Sequence, residues 1–130
     1  SASRWSERVV WEGWDQRRFP RLNLACDIDI RNTANNFHVS TVTQNIGAGG
    51  VCVILPDQLA RFSKVFVRIH LRDGGDVIES FGKVCWLVPG RTLYRAGTNY
   101  DIGIEFLDIR EEDRERIRKL VREQSAETPI

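Results

Sequence analysis

Leu22-Asn23-Leu24-Ala25-Cys26-Asp27-Ile28-Asp29-Ile30 alternates without a break: Leu22, Leu24, Cys26, Ile28 and Ile30 fall on one side, and Asn23, Ala25, Asp27 and Asp29 on the other. A period of two marks a half-buried β-strand, because successive side chains of an extended backbone point to opposite faces. A helix would scatter the same apolar set around its circumference. Downstream, Asn32 to Asn36 is a polar connection, and Phe37 to Gln44 is a threonine- and valine-rich strand that leads into a glycine-rich turn. Val51 to Leu55 is the short apolar strand that leaves it, and Pro56-Asp57 marks the next turn. From Lys64 to Arg72 the alternation returns, with Val65, Val67, Ile69 and Leu71 facing one way. Asp73-Gly74-Gly75-Asp76 predicts a hairpin. The following strand, Val77 to Leu87, stops at Pro89-Gly90, and a polar loop through Thr98 precedes a last strand from Asp101 to Leu107.

These strands number about six, are mostly hairpin-linked, and each carries one apolar face. Closing into a small antiparallel β-barrel buries all those faces and leaves no open edge. Asp108, with Glu111 three residues on, is positioned to cap a C-terminal helix. Lys119 and Arg122 suit its last turn, and Ile117, Leu120 and Val121 form its apolar stripe. The stretch before Asp15, with Trp5, Trp11 and Trp14 among charged residues, shows no defensible period.

At 130 residues and 42% hydrophobic content, the chain suffices for one domain with its own core. The opening Ser1-Ala2-Ser3 and the lack of any methionine suggest a trimmed piece of a longer protein. A formal net charge of +1 excludes the global basic field of a non-specific nucleic-acid binder, so any cationic patch is local. Cys26, Cys52 and Cys85 are odd in number and set in apolar strands, which reads as reduced thiols in a cytoplasmic protein. With no CxxC pair, and with His38 and His70 isolated, neither a metal site nor a cofactor is expected. No apolar run approaches the length of a membrane span. Asp27 and Asp29 could act as paired carboxylates, but no nucleophile-and-base pattern accompanies them. They read better as the solvated face of their strand, so no catalytic residue is assigned.

The chemistry concentrates in two short stretches. In Asp15-Gln16-Arg17-Arg18-Phe19-Pro20-Arg21, Pro20 excludes a helix and biases Phe19 towards an extended backbone. Arg17 and Arg21 then converge on one side while Arg18 reaches around the other. A guanidinium offers a rigid fork to phosphate oxygens or to the O6/N7 edge of guanine, and it also stacks on the base. In Asn45-Ile46-Gly47-Ala48-Gly49-Gly50 the carboxamide of Asn45 can read a base edge, and Gly47, Gly49 and Gly50 let backbone N–H groups approach a bulky ligand. Taken separately, the first stretch also reads as a solvated surface run, and the second as a tight hairpin with left-handed residues.

Together they resemble the two signatures of the PilZ domain family, RxxxR and (D/N)xSxxG. Arg17-Arg18-Phe19-Pro20-Arg21 supplies the first, and Asn45 to Gly50 the second with Gly47 in the serine place. Gly82-Lys83-Val84-Cys85-Trp86 and Tyr100-Asp101-Ile102-Gly103-Ile104-Glu105-Phe106 are similar to two further strands of that family. The resemblance implies an N-terminal extension over 1–14, a PilZ-like domain over 15–124 and a tail over 125–130. It implies a mainly β fold, a six-stranded antiparallel split barrel with a C-terminal helix. It further implies a non-catalytic bacterial sensor of cyclic di-GMP that signals to a neighbouring domain or protein partner by conformational change. Arg17, Arg18, Arg21, Asn45, Gly47, Gly49 and Gly50 are then the ligand-binding residues, with Trp86 as a possible stacking wall that alternation alone would assign to the core. Gln16, where many relatives carry a further arginine, bears on how many nucleotides bind. The alternative is an adaptor of the same fold that has lost nucleotide binding, with Gly47 as the sign of that loss.

Overall fold

In the computed structural model, the alternation that begins at Leu22 does sort the chain, with Cys26, Ile28 and Ile30 buried and Asn23, Ala25 and Asp27 exposed. The structure describes residues 21–56, 59–89 and 99–127. The strands are β1 (Arg21–Leu22), β2 (Asp27–Asn32), β3 (His38–Gly47), β4 (Gly50–Leu55), β5 (Lys64–His70), β6 (Ile78–Pro89) and β7 (Tyr100–Phe106), followed by helix α1 (Glu111–Glu127). Every pairing is antiparallel. The ring runs β3-β2-β5-β6-β7-β4 and closes through β3–β4, so six strands form a barrel without a free edge. The two-residue β1 is an addition beside β3.

The expected single strand over 22–30 is in fact two. β1 pairs with the end of β3 and β2 with its beginning, and residues 23–26 bridge them. Thr43 holds this break together. Its hydroxyl accepts from the Cys26 N–H at 2.9 Å and donates to the Leu24 carbonyl at 2.6 Å, while its own N–H donates to the Cys26 carbonyl at 2.9 Å. A threonine buried to 1% exposure is tolerated because both hydrogen-bonding roles of its hydroxyl are filled.

The barrel interior is lined by Ile28, Ile30, Ile46, Val51, Val53, Val65, Val67, Ile69, Ile102 and Ile104, all essentially inaccessible to water. At about 1.5–3 kcal/mol per fully buried branched side chain, this interior is the main source of stability. The β5–β6 hairpin forms where Asp73-Gly74-Gly75-Asp76 predicts it, and Gly74 takes the left-handed conformation at φ 78°.

The helix keeps its expected stripe, with Ile117, Leu120 and Val121 buried in the common core. Its ends depart from expectation. The first helical bond runs from the Arg114 N–H to the Arg110 carbonyl, so the helix starts too late for Asp108 to cap it. Asp108 instead accepts from the Phe81 N–H at 2.8 Å and from the Ser80 hydroxyl at 3.2 Å. The helix also continues to Glu127, which leaves Lys119 and Arg122 short of a last turn that holds no basic residue. Arg116 ties the helix to the β5–β6 hairpin with a two-pronged bond to Asp73, at 2.8 Å on each arm, and a further bond to the Asp76 carbonyl at 2.9 Å. The Arg116 guanidinium holds the Asp73 carboxyl down at about 2. Among the described residues no helix is long and apolar enough to cross a membrane.

Candidate functional site

The glycine-rich segment forms the tip of the β3–β4 hairpin: Gly47 ends β3, Ala48 and Gly49 connect, and Gly50 begins β4. It is not a left-handed turn. Among the described residues only Phe62 and Gly74 have positive φ, so the glycines here serve close approach rather than unusual torsions. Gly50 shows this directly, since a Cβ built on it would lie 2.2 Å from the Ile104 carbonyl oxygen of β7. The Phe106 N–H donates to the Gly49 carbonyl at 3.0 Å and fastens the tip to β7. All four residues from Gly47 to Gly50 are buried.

Arg21 pairs in register with Gly47, and Leu22 with Ile46. The last residue of the arginine motif and the glycine bend are therefore sheet neighbours, although 26 positions separate Arg21 from Gly47 in the chain. Arg17 and Arg18 lie outside the described residues, as do residues 1–14 and the loop over 90–98.

Two β-bulges aim side chains at the surface beside this junction. The β3–β4 register shifts between Thr43 and Asn45, and the β6–β7 register shifts between Val84 and Trp86. Thr43 opposes the buried Val53 and Ile46 opposes the buried Val51, so Asn45, between them and paired with Cys52, takes the outer face. Val84 and Leu87 oppose the buried Ile104 and Ile102, so Trp86, paired with Gly103, is likewise turned outward. The extra residue reverses the side-chain parity beyond it, which is how bulges re-aim a residue. Alternation could not reveal this, and it put Trp86 in the core. Because Cys52 also pairs with Gly103, Asn45, Cys52, Gly103 and Trp86 form one continuous row across four strands. At about 4.8 Å per strand, the row spans roughly 14 Å.

Gly103 lets the indole lie flat against the barrel, since a Cβ there would stand 2.4 Å from Trp86 Nε1. At the second bulge, the Cys85 thiol donates to a Glu105 carboxylate oxygen at 3.5 Å. Burial, reinforced by the Glu105 charge, pushes this thiol up to about 12, which removes it as a nucleophile near neutral pH. Burial also raises the Cys26 thiol. Asp29 is engaged by the Ser40 hydroxyl at 2.5 Å on the exposed face of β2, and Asp27 is exposed beside it. Among the described residues no group of three histidine, cysteine or acidic side chains is placed to hold a metal.

The six-stranded antiparallel barrel is closed, the apolar stripe of α1 joins its hydrophobic cluster, and β1 lies against the glycine-rich hairpin tip. The model of the PilZ domain family matches residues 15–123, and the chain belongs to that family. Solved structures agree on the fold. The Bacillus subtilis inhibitor of motility MotI/DgrA superposes with a TM-score of 0.70 at 20% identity, over 87% of this chain and 53% of that one. The K. pneumonia MrkH–c-di-GMP complex gives 0.67 at 20% identity, over 85% and 53%. The PilZ domain of Escherichia coli YcgR with c-di-GMP gives 0.65 at 14% identity, over 87% and 99%. The chain thus spans about half the length of the first two and nearly all of the isolated domain. Among curated proteins no sequence matches it.

Proposed function

We propose that the chain is a non-catalytic receptor for cyclic di-GMP, with the ligand held between the arginine motif and the outer row that starts at Asn45. In this reading Arg17 and Arg21 grip guanine edges and phosphates, and Arg18 assists. Asn45 reads a base edge, Gly47 and Gly49 admit the ligand close to the backbone, and Trp86 offers a stacking face. The observation that carries the proposal is the register pair Arg21–Gly47. At about 3.3–3.6 Å per residue, four residues of extended chain keep Arg17 within roughly 14 Å of that pair, so the whole motif reaches the bend. The solved MrkH and YcgR domains, which share the fold and were determined with c-di-GMP, are consistent with this assignment.

Burial pushes the Cys85 thiol up to about 12, which takes that residue out of nucleophilic chemistry near neutral pH. The domain expected over 15–124 is the sensing unit, and binding is relayed to an adjoining domain or partner protein in the cytoplasm.

Gly47 in the serine position favours one second reading, an adaptor that no longer binds nucleotide. Calorimetric titration of cyclic di-GMP decides between them. Saturable heat from the unaltered chain, abolished by Arg17→Ala and by Arg21→Ala, is expected for the receptor. Absence of heat from all three at high ligand concentration would leave the adaptor.

A further inference from the structure

A second surface lies on the outer face of β5 and β6. Phe66 and Phe81 are register partners that meet edge to face, with ring centroids 5.1 Å apart. Leu107 extends this row, donating its N–H to the Phe81 carbonyl at 2.8 Å and remaining 48% exposed. On the other side, Phe66 pairs with Arg31, and Arg31 with His38. One line across the barrel therefore runs from cationic to aromatic to aliphatic.

A second feature points to the charge of what covers it. Lys64 and Lys83 oppose each other in the β5–β6 register, and the Lys64 ammonium stands 4.4 Å from the Phe81 ring centroid. Like charges facing each other on paired strands are unfavourable; Lys83 also faces Glu105 across β6 and β7, which leaves Lys64 as the ammonium without a facing carboxylate in the paired registers. Among the described residues, no ion pair engages Lys64, Lys83 or Arg31. The carboxylates on the next row are occupied: Asp29 accepts from Ser40, and Glu79 is paired with Arg68 at 2.9 Å. A concavity lined by Asp29, Arg31, His38, Phe66, Arg68 and Glu79 opens at this end of the row.

We propose that this row docks a protein segment carrying aliphatic side chains flanked by carboxylates. The aliphatic groups cover Phe66, Phe81 and Leu107, and the carboxylates meet Lys64 and Lys83 on one flank and Arg31 at the end. This is charge complementarity around an apolar strip one strand-row wide, the usual anatomy of a recognition site. An anionic membrane fits less well, because a continuous negative sheet would also face Asp29, Glu79 and the nearby Glu105.

The test is a nuclear magnetic resonance titration of the full isotope-labelled chain with a short synthetic helical peptide that bears leucines along one face and glutamates beside them. It is run with and without saturating cyclic di-GMP, so that failure of nucleotide binding leaves the result readable. Saturable shifts at Lys64, Phe66, Phe81, Lys83 and Leu107 are expected, and binding should weaken at least tenfold in Lys64→Glu/Lys83→Glu and in Leu107→Asp. All three changed side chains are on the outer face, so the remaining spectrum should match the unaltered chain. The proposal is overturned by shifts that are absent or lie elsewhere, by equal binding of the same peptide with lysine in place of glutamate, or by preferential capture on phosphatidylserine vesicles.

Discussion

Replacing Gly50 by alanine tests whether the glycines of the bend are there for packing or for the ligand. The new methyl would lie 2.2 Å from the Ile104 carbonyl oxygen and 3.1 Å from the Glu105 Cα, where ordinary contact begins near 3.4 Å. Backbone is what it meets, so no rotamer change relieves the clash and the strands must part by about 1 Å. That separation stretches the Gly50–Glu105 pairing and the bond from the Phe106 N–H to the Gly49 carbonyl. One or two buried backbone bonds lost, at about 1–3 kcal/mol each, give a destabilisation of roughly 3 kcal/mol. For a domain of this size that lowers the melting midpoint by about 10–15 °C. Urea unfolding followed by circular dichroism, with a thermal scan alongside, measures both. A loss below about 0.5 kcal/mol would refute the close-approach reasoning, and Gly50 would have to be reassigned wholly to ligand contact.

Gly47→Ser is expected to keep the fold, because Gly47 does not occupy the left-handed region, and to tighten cyclic di-GMP about ten- to hundredfold by adding a hydroxyl bond worth about 1.5–3 kcal/mol, as read by calorimetry. Thr43→Val keeps the shape but leaves the Cys26 N–H without its hydroxyl acceptor and the Leu24 carbonyl without its donor, so urea unfolding should show a loss of about 2–3 kcal/mol. Asp73 is held at about 2 in the folded chain, below its ordinary 3.8, so its pairing with Arg116 stabilises fully above about pH 4 and is lost as the pH falls towards 2. Thermal midpoints across that window should fall in the unaltered chain, and this component should vanish in Asp73→Asn; after solvent screening it amounts to about 1–2 kcal/mol.

The barrel was legible because its inward positions are filled with isoleucine and valine at a period of two, and that signal survives even where a strand breaks, as it does between Leu22 and Asp27. What remained hidden was whatever depends on register. Nothing in Thr43 or Val84 announces a bulge one residue later, yet those bulges bring Asn45 and Trp86 onto the same outer row. The helix start was misjudged for a similar reason. Asp108 has the chemistry of a cap, but strand β6 offers it the Phe81 N–H and the Ser80 hydroxyl first, a competition that only tertiary contact reveals. The pairing of Arg21 with Gly47 likewise depends on β1 choosing the far end of β3, which local sequence does not specify.

The four residues between β1 and β2 have a consequence for how such domains can vary. With Thr43 bonded to Leu24 and Cys26, the span of that bridge acts as a fixed ruler between β2 and the main chain of β1. Substitutions along 23–25 leave the ruler intact, whereas dropping a single residue would shift the β1 main chain about 3.3 Å along the sheet and reverse its side-chain parity. The register of Arg21 against Gly47 is therefore set by residue count in the main chain, and on the proposed binding role lineages that keep the arginines but change that count should lose the ligand all the same.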